Sequence, residues 1–165
     1  MTVYLDMDGV IADFFGCLES KFEVDHWKSI KNINRTLNEL ANTPFFYEIN
    51  PFPETTQIVD LVKQYSKGDW GICSSPLRGD EYNSAFWKRC WLTEHEYVPE
   101  DLEKLIFTHE KEKYAINRIT GKPNILIDDK PANIIAWECA GGRGIRFQAN
   151  QDDVEYLESR LDNLL

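Results

Sequence analysis

A chain of 165 residues that is 42% hydrophobic and 13% aromatic carries enough apolar side chain to bury a core, which excludes an intrinsically disordered polymer. At about 100–200 residues per domain, it is one domain with room for a small insertion. With 18 Lys+Arg against 28 Asp+Glu the formal net charge is -10. That balance argues against a general grip on DNA or RNA but leaves a small phosphorylated ligand open, because a local site overrides the global sign.

In chain order, Val3–Leu5 is a short apolar run that ends in Asp6 and reads as a first strand. Gly16 to Pro53 fits no regular unit: a helical fragment, mixed-charge turns and the aromatic Phe45-Phe46-Tyr47 read as a small cap inserted after that strand. The core would then comprise residues 1–15 and 54–165, and the cap residues 16–53. Ile58, Val59, Leu61, Val62 and Tyr65 share one helical face, with Pro53 suited to the first turn and Gly68 to the stop. Trp70–Cys73 is a second strand, ending at Ser74-Ser75-Pro76. A helix carrying Phe86, Trp87, Cys90 and Trp91 follows, its aromatic residues expected in the core, and then a strand at Leu105-Ile106-Phe107. A short helix from Glu110 to Arg118 is broken by Gly121-Lys122-Pro123. Asn124–Ile127 is the clearest strand and ends in Asp128-Asp129. Ile134, Ile135 and Trp137 begin a helix that Gly141-Gly142 closes; Ile145–Phe147 is a last strand, and Val154, Leu157, Leu161 and Leu164 mark an amphipathic terminal helix.

Strands alternating with helices imply crossover connections, and fully apolar strands imply helices on both faces. The expected fold is α/β, a three-layer Rossmann-like parallel sheet with a small helical cap after strand 1. Cys17, Cys73, Cys90 and Cys139 form no CxxC pair, which disfavours a zinc site, and Cys73 and Cys139 read as small core residues. The N-terminus lacks the pattern of a signal peptide and no segment is a membrane span, so the expectation is a cytoplasmic protein without a membrane partner.

In an open parallel sheet, ligands bind outside the carboxyl ends of the strands. Those ends carry Asp6-Met7-Asp8-Gly9, Ser74-Ser75, Thr108 with Lys111, and Asp128-Asp129. Two carboxylates 4 Å apart repel by about 4 kcal/mol at an effective dielectric of 20, a cost that a divalent cation removes; hard oxygen ligands suit Mg²⁺. Lys111 and a strand-end hydroxyl would take phosphate oxygens, one Asp would attack phosphorus, and the Asp two residues on would protonate the leaving oxygen. Lys113 competes with Lys111 for that place. His26, His95 and His109 are not required by this chemistry.

These residues also resemble a known family. Asp6-Met7-Asp8-Gly9-Val10, Ser74 after an apolar strand, Lys111 and Asp128-Asp129 match in order the four motifs of haloacid dehalogenase-like (HAD) phosphatases. The run Asp6 to Phe14, Pro44-Phe45-Phe46 with Asn50-Pro51-Phe52-Pro53, Ile72 to Leu77 and Ile125 to Lys130 are similar to the 5′(3′)-deoxyribonucleotidase branch, with a shorter cap. The resemblance implies that Asp6 is the nucleophile forming an aspartyl-phosphate and that Asp8 is the general acid/base. It implies Asp6, Asp128 and the backbone carbonyl of Asp8 as Mg²⁺ ligands, with Asp129 orienting metal waters. Ser74, Ser75 and Lys111 would bind phosphate, and Phe14, Phe45 and Phe46 would pack the nucleobase.

The expected activity is therefore dephosphorylation of a nucleoside monophosphate, in particular a deoxyribonucleotide. The alternatives are the same chemistry on another small phosphate ester or a nucleic-acid end, and a non-enzymatic phospho-receiver. The receiver reading fails on Asp8, since a phosphoryl group that must persist needs no acid/base beside it, and on the inserted segment. A homodimer is compatible with the sequence, which fixes no oligomeric state, and a nucleic-acid partner is not expected.

Overall fold

The computed structural model describes residues 1–164; Leu165, the last residue expected in the core, lies outside the described residues. Five short apolar runs become five parallel strands: β1 (Val3–Leu5), β2 (Trp70–Ser74), β3 (Leu105–Phe107), β4 (Ile125–Asp128) and β5 (Arg143–Arg146). Their spatial order is β3-β2-β1-β4-β5. The chain builds outward from β1 in one direction, then restarts on its other side with β4. The reversal opens a crevice beyond the carboxyl ends of β1 and β4. Register makes those ends level: Leu5 pairs with both Ile72 and Ile127, so Asp6 and Asp128 each follow a paired residue.

The described residues form seven α-helices: α1 (Phe14–Lys21), α2 (Ile33–Glu39), α3 (Phe45–Glu48), α4 (Thr55–Tyr65), α5 (Glu81–Glu94), α6 (Pro131–Cys139) and α7 (Val154–Leu164). Alternation along β1 sends Val3 and Leu5 to one face and Tyr4 to the other. The first face packs with Ile58 and Val62 of α4, Trp91 and Leu92 of α5, and Leu157 and Leu161 of α7. The second packs Tyr4, Cys73, Ile106 and Leu126 under Ile134 and Trp137 of α6. Three layers result. The segment expected as an insertion holds no sheet strand, and its Leu18, Leu40, Phe45, Phe46 and Ile49 join the first of these clusters.

Several local expectations are corrected. Residues 110–118 form only one 3₁₀ turn, Lys111–Tyr114, because the Ile116–Pro123 bridge and the Asn117 carboxamide, which accepts from the Ile119 and Thr120 N–H groups, turn the chain there. The last strand begins at Arg143, opposite Ile125, and Phe147 follows it, donating to the Asp128 carbonyl at 3.1 Å. Cys139 is exposed at the end of α6. Phe86 is 57% exposed rather than core, since α5 buries the face made by Ser84, Lys88, Trp91 and Leu92.

Candidate active site

The loop after β1 is a tight turn in which the Val10, Ile11 and Ala12 N–H groups all converge on the Met7 carbonyl. Gly9 sits at φ +79°, and a Cβ there would lie 2.8 Å from the Asp129 carboxyl carbon. Only glycine lets the β1 loop close against the β4 loop. That approach leaves the crevice floor crowded with carboxylates: Asp6, Asp128 and Asp129 are buried, and one oxygen from each lies within 4.8 Å of the others.

Lys111, expected at this place, is buried with its Nζ 2.9 Å from Asp6 Oδ2 and 2.6 Å from Asp128 Oδ2. Lys113 turns outward to Glu110 at 2.5 Å. Asp128 also accepts from the Lys130 N–H at 2.9 Å and from the Asn133 amide at 2.9 and 3.1 Å, so it anchors the start of α6 as well. Asp6 Oδ1 accepts from the Met7 N–H at 2.8 Å.

Electrostatics follow the geometry. Burial would raise the Asp6 carboxyl, but the Lys111 and Lys88 ammoniums and the Ser74 hydroxyl outweigh it and hold Asp6 below the usual range. Asp128 is raised by burial and by Asp6 across the shared lysine. Burial, reinforced by Asp6 and Asp128, pushes Asp129 up to about 7, and its Oδ1 has no hydrogen-bond partner. A buried set of hard oxygen donors, one without a partner and together short of positive charge, fits Mg²⁺.

Asp8 faces the other side. Its Oδ2 accepts from Lys88 Nζ at 2.7 Å, and its Oδ1 has no partner. Lys88 also donates to Ser74 Oγ at 2.9 Å and the Ser75 carbonyl at 2.8 Å, and stands 4.8 Å from the centre of the Phe46 ring. Sequence reasoning missed this residue, because a lysine in a helix ordinarily reads as solvated. The available signal was its spacing: Lys88 lies four residues after Ser84 and three before Trp91, on the face that α5 buries.

The crevice opens into a cleft of about 1010 Å³ walled by the segment between β1 and α4. Phe14 and Phe46 line it, stacked at 6.0 Å and 17°, whereas Phe45 is wholly buried behind them. Phe15 and Trp27, not singled out from the sequence, also line it, stacked at 5.0 Å and 28°. Ser75 lines the cleft, while Ser74 is fully buried with its hydroxyl on Lys88. His26 and His109 lie on the wall, and His95 packs on Trp91 at 4.5 Å.

An open parallel sheet that changes direction beside an acidic loop, with a helical insertion over its carboxyl end, is the haloacid dehalogenase-like fold. The crystal structure of a predicted phosphatase from Clostridium acetobutylicum shares it, with a TM-score of 0.55 at 12% identity over 98% of each chain. Among curated proteins the chain resembles two 5′(3′)-deoxyribonucleotidases. It is 28% identical over 152 residues to the mitochondrial 5′(3′)-deoxyribonucleotidase of Mus musculus and 27% identical to that of Homo sapiens, matches that take in 79% of this chain. The chain spans 65% and 63% of the length of these two relatives. No family model matches the sequence. None of the described helices is long and apolar enough to cross a membrane.

Proposed function

We propose that this protein is a Mg²⁺-dependent phosphomonoesterase acting on nucleoside monophosphates, in particular deoxyribonucleotides, through an aspartyl-phosphate. The observation that carries the reading is the pair of buried lysines dividing the two leading aspartates: Lys111 on Asp6 and Lys88 on Asp8. Asp6, held below the usual carboxylate range, is a ready nucleophile. Asp8 is free of the Lys111 cluster and suits proton transfer.

In this reading Asp6 attacks phosphorus in line with the ester oxygen. The P–O bond breaks, its electron pair passes to the leaving oxygen, and that oxygen takes the proton from Asp8. Asp8, now a carboxylate, removes a proton from water as the water oxygen attacks the phosphoryl group, and the Asp6–phosphorus bond breaks to return both groups to their starting state. An ammonium has three N–H donors, and Lys111 meets only Asp6 and Asp128, so a spare donor remains for a phosphate oxygen. The Ser75 hydroxyl in the cleft suits a second oxygen. Asp6, Asp128 and the backbone carbonyl of Asp8 would hold the cation, with Asp129 beside them; bound there, it neutralises charge on the phosphoryl group. Phe14, Phe15, Trp27 and Phe46 offer faces for a nucleobase.

The reading is supported by the deoxyribonucleotidase relatives and is tested by phosphate release from deoxyribonucleotides, ribonucleotides, 3′-nucleotides and sugar phosphates, with Mg²⁺ and with EDTA. Turnover is expected to favour deoxyribonucleotides and to stop in EDTA. Equal rates across the panel would remove the nucleotidase assignment, and turnover that persists in EDTA would remove the metal.

A further inference from the structure

Lys88 enters the crevice from α5, an element that contributes nothing else to the floor. Its side chain is fully buried, and its ammonium makes three hydrogen bonds: to Asp8 Oδ2, Ser74 Oγ and the Ser75 carbonyl. An ammonium has three donors, so none is left for a substrate. Lys111 differs on this count, since it is held by two carboxylates only. The Phe46 ring stands 4.8 Å from the Lys88 nitrogen and shields it from the cleft. Shielding from water strengthens each of these bonds.

We infer that Lys88 is a positioning residue for the leaving-group proton: it clamps the Asp8 carboxyl in place for proton delivery to the ester oxygen, and it does not bind phosphate. This rests on the phosphomonoesterase reading. Two further features follow from these three bonds, and a third from the Phe46 contact. Lys88 ties the β1 loop to the end of β2, fixing Asp8 relative to Ser75 across the reacting phosphate. It occupies Asp8 Oδ2, so the two oxygens of that carboxyl are no longer equivalent. Through Phe46 it also joins the acid to the insertion, so the wall that lines the cleft and the group that delivers the proton share one contact.

The bond order of events makes this testable through the leaving group. When Asp6 attacks and the P–O bond breaks, an alkoxide leaving oxygen needs the Asp8 proton as it takes the electron pair, whereas p-nitrophenolate departs without one. Lys88→Met keeps the volume and removes the clamp. It is expected to lower kcat/KM for a deoxyribonucleoside monophosphate by ~10²-fold, the scale of general acid catalysis, while p-nitrophenyl phosphate loses far less. In an Asp8→Asn background the same substitution is expected to add no further loss on the nucleotide. Inhibition by inorganic phosphate should not change.

Equal losses on both esters, or weaker inhibition by phosphate, would overturn the inference while leaving the phosphatase reading intact; a wild-type protein inactive on both esters would overturn the two together. Since the substitution strips a buried carboxylate of its partner and could unfold the chain, a second arm uses the wild type: a crystal structure with Mg²⁺ and inorganic phosphate. Lys111 on the phosphate with Lys88 still on Asp8, Ser74 and Ser75 supports the inference. Lys88 within hydrogen-bond distance of a phosphate oxygen overturns it.

Discussion

The floor of the crevice and the wall of the cleft are built on opposite principles. On the floor, Asp6, Asp128 and Lys111 are each almost wholly buried, and Lys111 holds the two carboxylates at 2.9 and 2.6 Å. A buried ion cluster of this kind depends most on its shared member, because losing the Lys111 ammonium would strand two carboxylates away from water. On the wall, Phe14, Phe15 and Trp27 are half-buried rings that touch one another edge-on or stacked, at 5.0 to 5.5 Å for the neighbouring pairs. Ring contacts of this kind are worth about 0.5–1.5 kcal/mol each, so the wall is a sum of small terms. In the proposed function, chemistry would rest on single atoms, while the grip on a base would be spread over several side chains.

The sharpest way to break that contrast is at the floor. Asp6→Asn is expected to lower phosphate release by about four orders of magnitude or more, because the nucleophile acts in every turnover. The melting curve followed by circular dichroism should survive the change, since the amide keeps the shape and leaves Lys111 paired with Asp128 at 2.6 Å. Residual turnover within tenfold of the wild type would remove Asp6 as nucleophile.

The two regions also differ in how legible they are in the sequence. A three-residue apolar strand that ends in an acid announces both the strand and the strand end, and parallel pairing then levels Asp6 with Asp128. Lys111 was separable from Lys113 only as a motif match; in the fold the first nitrogen turns inward and the second reaches Glu110 at the surface. Lys88 escaped because its identity contradicts its position: charge marks a solvated face, and its spacing from Trp91 marks a buried one. Weighting spacing above identity would have found it. The wall was the least legible part. Phe45 and Phe46 are adjacent, yet only the second lines the cleft, because consecutive residues of the short helix α3 point to different sides. Phe15 and Trp27 meet through the packing of α1 on the 3₁₀ turn at Trp27–Ser29, a contact that no periodicity encodes.

A smaller effect is expected on the wall. Trp27→Ala removes the ring stacked on Phe15 and should raise KM for a deoxyribonucleoside monophosphate by ~10-fold with kcat nearly unchanged, in line with the value of one base stacked on one aromatic side chain. Glycerol phosphate, which has no base, should show no rise in KM. A matching rise for glycerol phosphate would mean that Trp27 shapes the phosphate site, and no rise for either substrate would remove it from the base site.

The smallest effect is read without any substrate. Cys73 is fully buried in β2 beside the floor, whereas Cys17 is half-buried on α1 within the wall. Burial pushes the Cys73 thiol up to about 12 and raises that of Cys17 as well. If the floor opens only by global unfolding and the wall by local fluctuation, a thiol reagent at pH 8 should modify Cys17 well before Cys73, as read by peptide mass spectrometry. Equal rates would show that the two regions open together. The same thiol gives the floor an alkaline signature. The unfolded Cys73 loses its proton near its ordinary value of 9.0, while the folded one holds it up to about 12. Its contribution to stability is therefore complete below pH 9.0 and declines as the pH rises toward 12. Cys73→Ala should flatten that part of the stability profile in urea titrations, and Cys17→Ala should flatten it less.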